Sequence, residues 1–501
     1  MDLMSKTFFG HPRGLATLFF TEMWERFSFY GMRAILILFM TTETAQQGLD
    51  LDTATAGAAY GLYTASVYLL SLPGGWIADN VIGQRKAIWY GGIMIMIGHG
   101  ILAIPAGPAI FFLGLACVAI GTGFLKPNIS SIVGSLYDKE GASAESGARR
   151  DAGFSIFYMA INLGAFFGQI FVPLLAAYNW HMGFGLAAIG MFLGLIYFKM
   201  TEEENFGNIG LAPDKEELTT ASAGKSNPMK YIIPIVLILV LIGLQVTGTV
   251  DLTSITGIAE AMKYVIVLIA VFYFAFVLIA GNLNKSEFKK VLVIIMLFIG
   301  GATFWSGFEQ AGSALNLFAR DFTDRNIFGW DMPAGILQSV NSGFIIIFAP
   351  IIGAMWIWLA KRNLNPRTPI KFGFGLILLG LGFYFMVVAA GVATQGAKAG
   401  MFFLVLTYFF HSIGELFLSP VGLSSITKLS PKRYLGQMMG LWFVATALGN
   451  LIAGTFGGHF DPSNVSQMPD LFWTFVLLPV GVGIVFLATN PIVKKWMGEV
   501  H

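Results

Sequence analysis

The chain is expected to fold as an all-α polytopic membrane protein of fourteen transmembrane helices: two six-helix bundles with two further helices inserted between them. Three observations carry that expectation. Of 501 residues, 56% are hydrophobic and 12% charged, with 46 Phe, a composition outside the soluble globular range. Runs of about 20 apolar residues, the length that a bilayer core requires, recur along the whole chain. Lys and Arg collect on one side of those runs, as flanking cations do on the cytoplasmic face.

The runs lie near 15–42, 56–79, 86–105, 108–135, 152–176, 181–199, 231–249, 263–281, 291–319, 333–360, 370–391, 401–427, 435–458 and 470–491. Their even count puts both termini on one side. With a cytoplasmic amino terminus, 23 of the 30 basic residues fall in cytoplasmic segments; Lys263, Arg320, Arg325 and Lys398 fall opposite, and Arg26, Arg33 and Lys126 within spans. A miscounted helix would scramble this bias. The single cysteine, Cys117, excludes disulfides and reads as a small buried apolar residue. The opening MDLMSKTFFGHPRG lacks a small-residue cleavage pattern, so it is expected to stay on the mature protein.

The polar stretch 201–230 reads as a cytoplasmic linker rich in charge and small residues. Six spans precede it and eight follow. The seventh and eighth hold no charge except Lys263 at an edge, so they read as lipid-facing additions. Without them the count is six plus six, that of a two-bundle transporter with pseudo-symmetric halves. The expected domains are 1–200, the linker 201–230, an inserted pair 231–285, and 286–501. GGWIADNVIGQRK, between spans two and three, has a weak echo in GAMWIWLAKRNLNPRTPIK. Its Gly75, Asp79, Gly83, Arg85 and Lys86 resemble the loop motif of the major facilitator superfamily.

Ionisable residues within a span usually face a bundle interior or a water-filled cavity and mark a functional path. Here they are Glu22, Glu25, Arg26, Arg33, Lys126, Glu309 and Glu415. At 100° per residue, Glu22, Glu25, Arg26, Phe29, Tyr30 and Arg33 share an arc of about 140°, so the first helix carries one polar wall. Glu22 and Glu25 both lie within a turn of Arg26. Two carboxylates sharing one cation leave one of them open to protonation, as a proton-coupling site needs. Depth along each helix lets Arg33 meet Glu309 near the outer end and Lys126 meet Glu415 in the inner half. Two such pairs, one on each side of a cavity, would suit alternating access. Tyr30, Tyr68, Tyr158, Trp305 and Trp442 suit the apolar middle of a zwitterionic ligand, and Asn162 and Asn341 offer amide contacts.

At these residues the chain closely resembles the proton-dependent oligopeptide transporter family of the major facilitator superfamily, prokaryotic peptide transporters in particular. EMWERFSFYGMR (22–33) matches its first-helix pattern ExxERFxYYxMR, and FSIFYMAINLGAFFG (154–168) its fifth-helix signature. GTGFLKPNISS (121–131), FWSGFEQ (304–310) and IGELFLSPVGLS (413–424) match further blocks. The resemblance implies the major facilitator fold and proton-coupled symport of di- and tripeptides into the cell, with no cofactor beyond the coupling proton. It gives proton coupling to Glu22, Glu25 and Arg26, and the peptide carboxylate to Arg26 and Lys126. The peptide amino group goes to Glu415 with Asn162 and Asn341, and Tyr30, Tyr68, Tyr158, Trp305 and Trp442 line the pocket. Arg33 with Glu309 and Lys126 with Glu415 become the gates. A monomer in the plasma membrane, both termini cytoplasmic and no nucleic-acid partner, is implied as well.

Two positions depart from the pattern: Phe29 replaces a tyrosine, and Ser342 stands where proline usually follows the asparagine. Transport of nitrate or another metabolite is the nearest alternative, although nitrate importers often lack the full ExxER set. An intramembrane enzyme is remote, since no HExxH or GxSxG occurs and His411, one turn from Glu415, is the only suggestive partner.

Overall fold

The computed structural model describes residues 7–137, 144–212 and 241–498. Among them run thirteen long helices: α1 (Gly14–Thr41), α2 (Thr53–Ile77), α3 (Gln84–Leu102), α4 (Pro108–Ser135), α5 (Ala144–Ala176), α6 (Trp180–Phe206), α7 (Ile255–Ala280), α8 (Lys285–Phe308), α9 (Ser339–Lys361), α10 (Thr368–Thr394), α11 (Phe402–Leu429), α12 (Leu435–Gly457) and α13 (Met468–Met497). Each corresponds to an expected span. The seventh span, near 231–249, lies mostly outside the described residues, which resume in helix at 241–246. Among the described residues, ten segments are apolar enough to cross a bilayer on length and composition alone. α1 is not one of them, because every 18-residue stretch of it holds at least three of Glu22, Glu25, Arg26 and Arg33.

The chain forms two compact units. In the first, Met1–Leu49 with Ser66–Ile235, α1 packs on α5 and α6 while α3 packs on α4 and α6. The α1–α5 seam is set by Gly164 and Gly168. A Cβ there would stand 2.1 and 2.3 Å from the backbone oxygens of Met23 and Phe27, so only glycine lets the two backbones approach this closely. The fifth-helix signature is therefore partly a packing motif. We expect Gly164→Val to push α5 away from the turn of α1 that carries Glu22 and Glu25, destabilising the protein by about 1–3 kcal/mol. Its melting temperature should fall, while Gly100→Val, where a Cβ meets nothing within 4 Å, should melt with the wild type.

After α2 the chain passes through a π-helical turn, Ala78–Ile82, and reverses at Gly83, whose φ of 82° favours glycine. Arg85, counted among the cytoplasmic cations and in the loop motif, is buried. Its Nε donates to Glu202 Oε2 at 3.2 Å, its Nη1 to the Gly207 carbonyl at 2.8 Å, and its backbone N–H to Gly210 at 2.9 Å. These contacts account for a difference from the expected bounds. Residues 201–206, expected as the start of the linker, continue α6. Three consecutive glutamates remain helical there because Arg85 and Lys199 pair with Glu202, and Arg13 with Glu204. The linker beyond 212 lies outside the described residues up to 240. Cys117, expected to be buried, is partly exposed on α4.

The second unit comprises Asp50–Ala65 and Val236–His501. Within it α10 packs on α11 and α13, α8 on α12, and the first half of α2 on α12, where Gly57 and Gly61 meet Gly454. α7 begins earlier than the expected span because Ser254 caps it, its Oγ accepting from the Gly257 N–H at 3.0 Å. Lys263 consequently sits inside the helix, paired with Glu260 at 2.6 Å. α8 opens with a capping box in which Asn284 and Glu287 satisfy each other's backbone N–H groups.

The span expected at 291–319 is broken. α8 ends at Phe308, a 3-10 turn covers Glu309–Gly312, and a short helix runs Ala314–Asp321. Gln310 Nε2 and Ser313 Oγ both donate to the Ala453 carbonyl of α12, each at 3.2 Å, and hold the break in place. Two loops expected on one face, after the short helix and after α10, pair in parallel through Thr323 with Ala399 and Asp324 with Gly400.

Candidate functional site

In the first unit the structure gathers the expected charges around the middle of α1. Glu22, Glu25 and Arg26 are 2, 0 and 2% exposed. Arg26 Nε lies 3.1 Å from Glu22 Oε1 and in direct contact with Glu25 Oε2. The i,i+3 and i,i+4 spacings that put all three on one face thus produce one ion cluster. It is not saturated. Glu22 Oε2, Glu25 Oε1 and Arg26 Nη2 are buried without hydrogen-bond partners among the described residues. Buried polar groups are almost always satisfied, so unsatisfied ones mark places where a proton, water or ligand completes the network.

α4 contributes Lys126, close enough for its charge to act on both glutamates. Its Nζ stands 3.9 Å from the centre of the Tyr68 ring on α2. The Tyr30 ring lies 5.9 Å from the Arg26 guanidinium and 5.4 Å from that of Arg33. Phe29 explains itself here, since its ring face receives the Arg26 guanidinium at 5.2 Å. The phenylalanine gives up a hydroxyl but keeps the cation–π contact. On α5, Tyr158 is half-buried, and Asn162 donates its amide to the Tyr158 carbonyl at 3.0 Å within its own helix.

The second unit holds the remaining expected residues. Trp305 is half-buried at the end of α8, between Phe304 and Phe308, and its Nε1–H has no acceptor among the described residues. Glu309, 3% exposed, occupies the residue at which α8 breaks. Non-α turns of this kind recur at functional positions of transport helices. Asn341 on α9 donates to Ser412 Oγ on α11 at 2.7 Å, which brings it within one turn of the half-buried Glu415. Trp442 is set deeper, 6% exposed, against Gly301, Gly422 and the Phe372 ring. Ser342, the second departure from the family pattern, is buried in α9, which continues unbroken through it.

The sequence reading missed Ser412, although its place three residues before Glu415 puts the two on one helix face. It also missed the Gln310–Ser313–Ala453 latch, for which no sequence signal exists because the acceptor is a backbone carbonyl. Arg33 and Lys126 belong to the first unit and Glu309 and Glu415 to the second.

A model of the POT family matches residues 85–471. The chain belongs to that family. It is 40% identical to the peptide transporter YePEPT of Yersinia enterocolitica over 93% of its own length and 91% of that protein's. It is 34% identical to the di-/tripeptide transporter of Lactococcus lactis over 100 and 99% of the two chains. Among solved structures, a peptide transporter POT in complex with sulfate matches with a TM-score of 0.85 and 39% identity over 98 and 97% of the two chains. The family member described here accordingly has the major facilitator fold, with two six-helix bundles and two inserted helices, in a multi-pass membrane protein.

Proposed function

We propose that this chain imports di- and tripeptides together with protons by alternating access. The buried Glu22–Arg26–Glu25 cluster carries the reading: two carboxylates share one guanidinium inside a membrane helix, with acceptor and donor atoms left open beside Lys126. A proton neutralises one carboxylate without unpairing Arg26. A peptide carboxylate supplies an acceptor to Arg26 and Lys126, so proton and substrate act on the same ion network. Relatives named as di-/tripeptide transporters, and a transporter of the family solved with a peptide conjugate, support the substrate class.

In this proposal Tyr30, Tyr68, Tyr158, Trp305 and Trp442 line the pocket, and Glu415 with Asn162 and Asn341 receives the peptide amino group. The pairs Arg33 with Glu309 and Lys126 with Glu415 open and close its two sides. The protein works as a monomer in the plasma membrane with both termini cytoplasmic.

Uptake of a labelled dipeptide into proteoliposomes under an imposed proton gradient tests the reading. We expect accumulation that a protonophore abolishes and that unlabelled di- and tripeptides, but not free amino acids or nitrate, compete away. Uptake indifferent to the gradient would remove the coupling, and absence of peptide uptake by folded protein would remove the substrate.

A further inference from the structure

From Met332 to Phe460 the sequence holds one carboxylate, Glu415, against eight Lys and Arg. Seven of the eight lie where α9 ends, α10 begins, and α11 turns into α12. Thr368 Oγ1 and Ser425 Oγ, 2.9 Å apart, fasten the start of α10 to the end of α11. Beside this seam the half-buried Lys371 places its Nζ 4.3 Å from the centre of the Trp356 ring on α9. Lys428 of α11 is near enough for the two ammonium charges to repel. The Trp356 Nε1–H is buried without an acceptor among the described residues. Among the described residues no carboxylate pairs with Lys361, Arg362, Lys371 or Lys428, whereas Arg433 nearby is matched by Glu287 at 3.2 Å. Like charges brought together on partly desolvated stems, with a spare N–H donor beside them, call for an anion.

The same helix end offers something to an apolar chain. α9 turns outward Ile347, Ile351 and Ile357, which are 57, 54 and 60% exposed. Trp358, 49% exposed, carries the Arg362 guanidinium 4.1 Å over its ring. Tryptophan and arginine at a helix end, above an outward apolar stripe, are the composition of the bilayer interface. We propose that the ends of α9, α10 and α11 form a binding site for an anionic phospholipid. Lys371 and Lys428 hold its phosphate, and its acyl chains lie along Ile357 and Ile351. A free phosphate shares the first half of this chemistry but not the second.

Native mass spectrometry of the purified full-length protein, titrated with phosphatidylglycerol, tests the site. Phosphatidylcholine, glycerol phosphate and inorganic phosphate serve as separate arms, and melting temperature is followed in each. We expect one phosphatidylglycerol to bind ahead of the others and raise the melting temperature, with phosphatidylcholine and both soluble phosphates doing neither. In K371Q/K428Q that affinity should fall roughly tenfold or more, since each lysine near an anionic surface contributes about a factor of five. K371R/K428R should retain it, and K289Q/K290Q, which removes the same charge from α8, should leave it unchanged. Equal loss in K289Q/K290Q, undiminished binding in K371Q/K428Q, or equal protection by inorganic phosphate would each overturn the proposal. If the double variant does not fold, K428Q alone, at an exposed position, is read in the same way.

Discussion

Replacing Arg26 by methionine is expected to destabilise the protein by about 3–5 kcal/mol, the usual consequence of removing one partner from a buried ion pair. Glu22 and Glu25 would be left side by side in the first unit, 2 and 0% exposed, with their shared guanidinium gone. Lys126 acts on both from α4, but its ammonium is already engaged over the Tyr68 ring and cannot replace a guanidinium that lies between the two carboxylates. Transport should be lost together with stability. The variant E22Q/E25Q/R26M, which leaves the Lys126 ammonium over the Tyr68 ring but removes all three charges of the cluster, should recover most of the melting temperature without recovering transport. An R26M protein that melts with the wild type would mean that the cluster contributes nothing net to the fold. A triple variant as unstable as R26M would assign the loss to packing rather than charge.

Glu22→Gln and Glu25→Gln separate coupling from binding. Each leaves Arg26 with one carboxylate, so the remaining pair is electrically balanced and the fold should hold. Neither amide can take up and release a proton, so gradient-driven dipeptide uptake should fall to the level of protein-free vesicles. Exchange of labelled for unlabelled peptide across the membrane needs no net proton movement and should continue. Unchanged driven uptake in one variant would remove that residue from the coupling role and leave the other to carry it. Loss of exchange as well would make the residue a ligand of the peptide rather than of the proton.

Much of this was legible in the sequence for a simple reason. A bilayer admits few backbone solutions, so long apolar runs become helices, and a charge within one must face protein or water. α4 follows its expected bounds, 108–135, and the bounds of most other helices differ by a few residues. The first-helix cluster follows from spacing alone, since residues three and four apart meet on any helix. The early start of α7 came from a local cap, Ser254, but the other two slips in helix bounds came from contacts elsewhere in the chain. Residues 201–206 are helical because Arg85 neutralises Glu202, and α8 stops at Phe308 because Gln310 and Ser313 find the Ala453 carbonyl.

The sequence by itself therefore determined which segments are helices, which of their residues are charged, and that Glu22, Glu25 and Arg26 share a face. Helical periodicity and the cost of charge in a bilayer act within one segment and need no partner. Only the tertiary structure decided how close the segments come and what each polar group meets. Gly164 and Gly168 bring α5 against the backbone of α1, Phe29 serves as a ring for Arg26, and Asn341 is turned toward Ser412. Lys371 and Lys428 are 57 residues apart in sequence and on two helices, yet share one seam, as Thr368 and Ser425 do beside them. Such contacts depend on the shape of two surfaces at once, which no single stretch of sequence specifies.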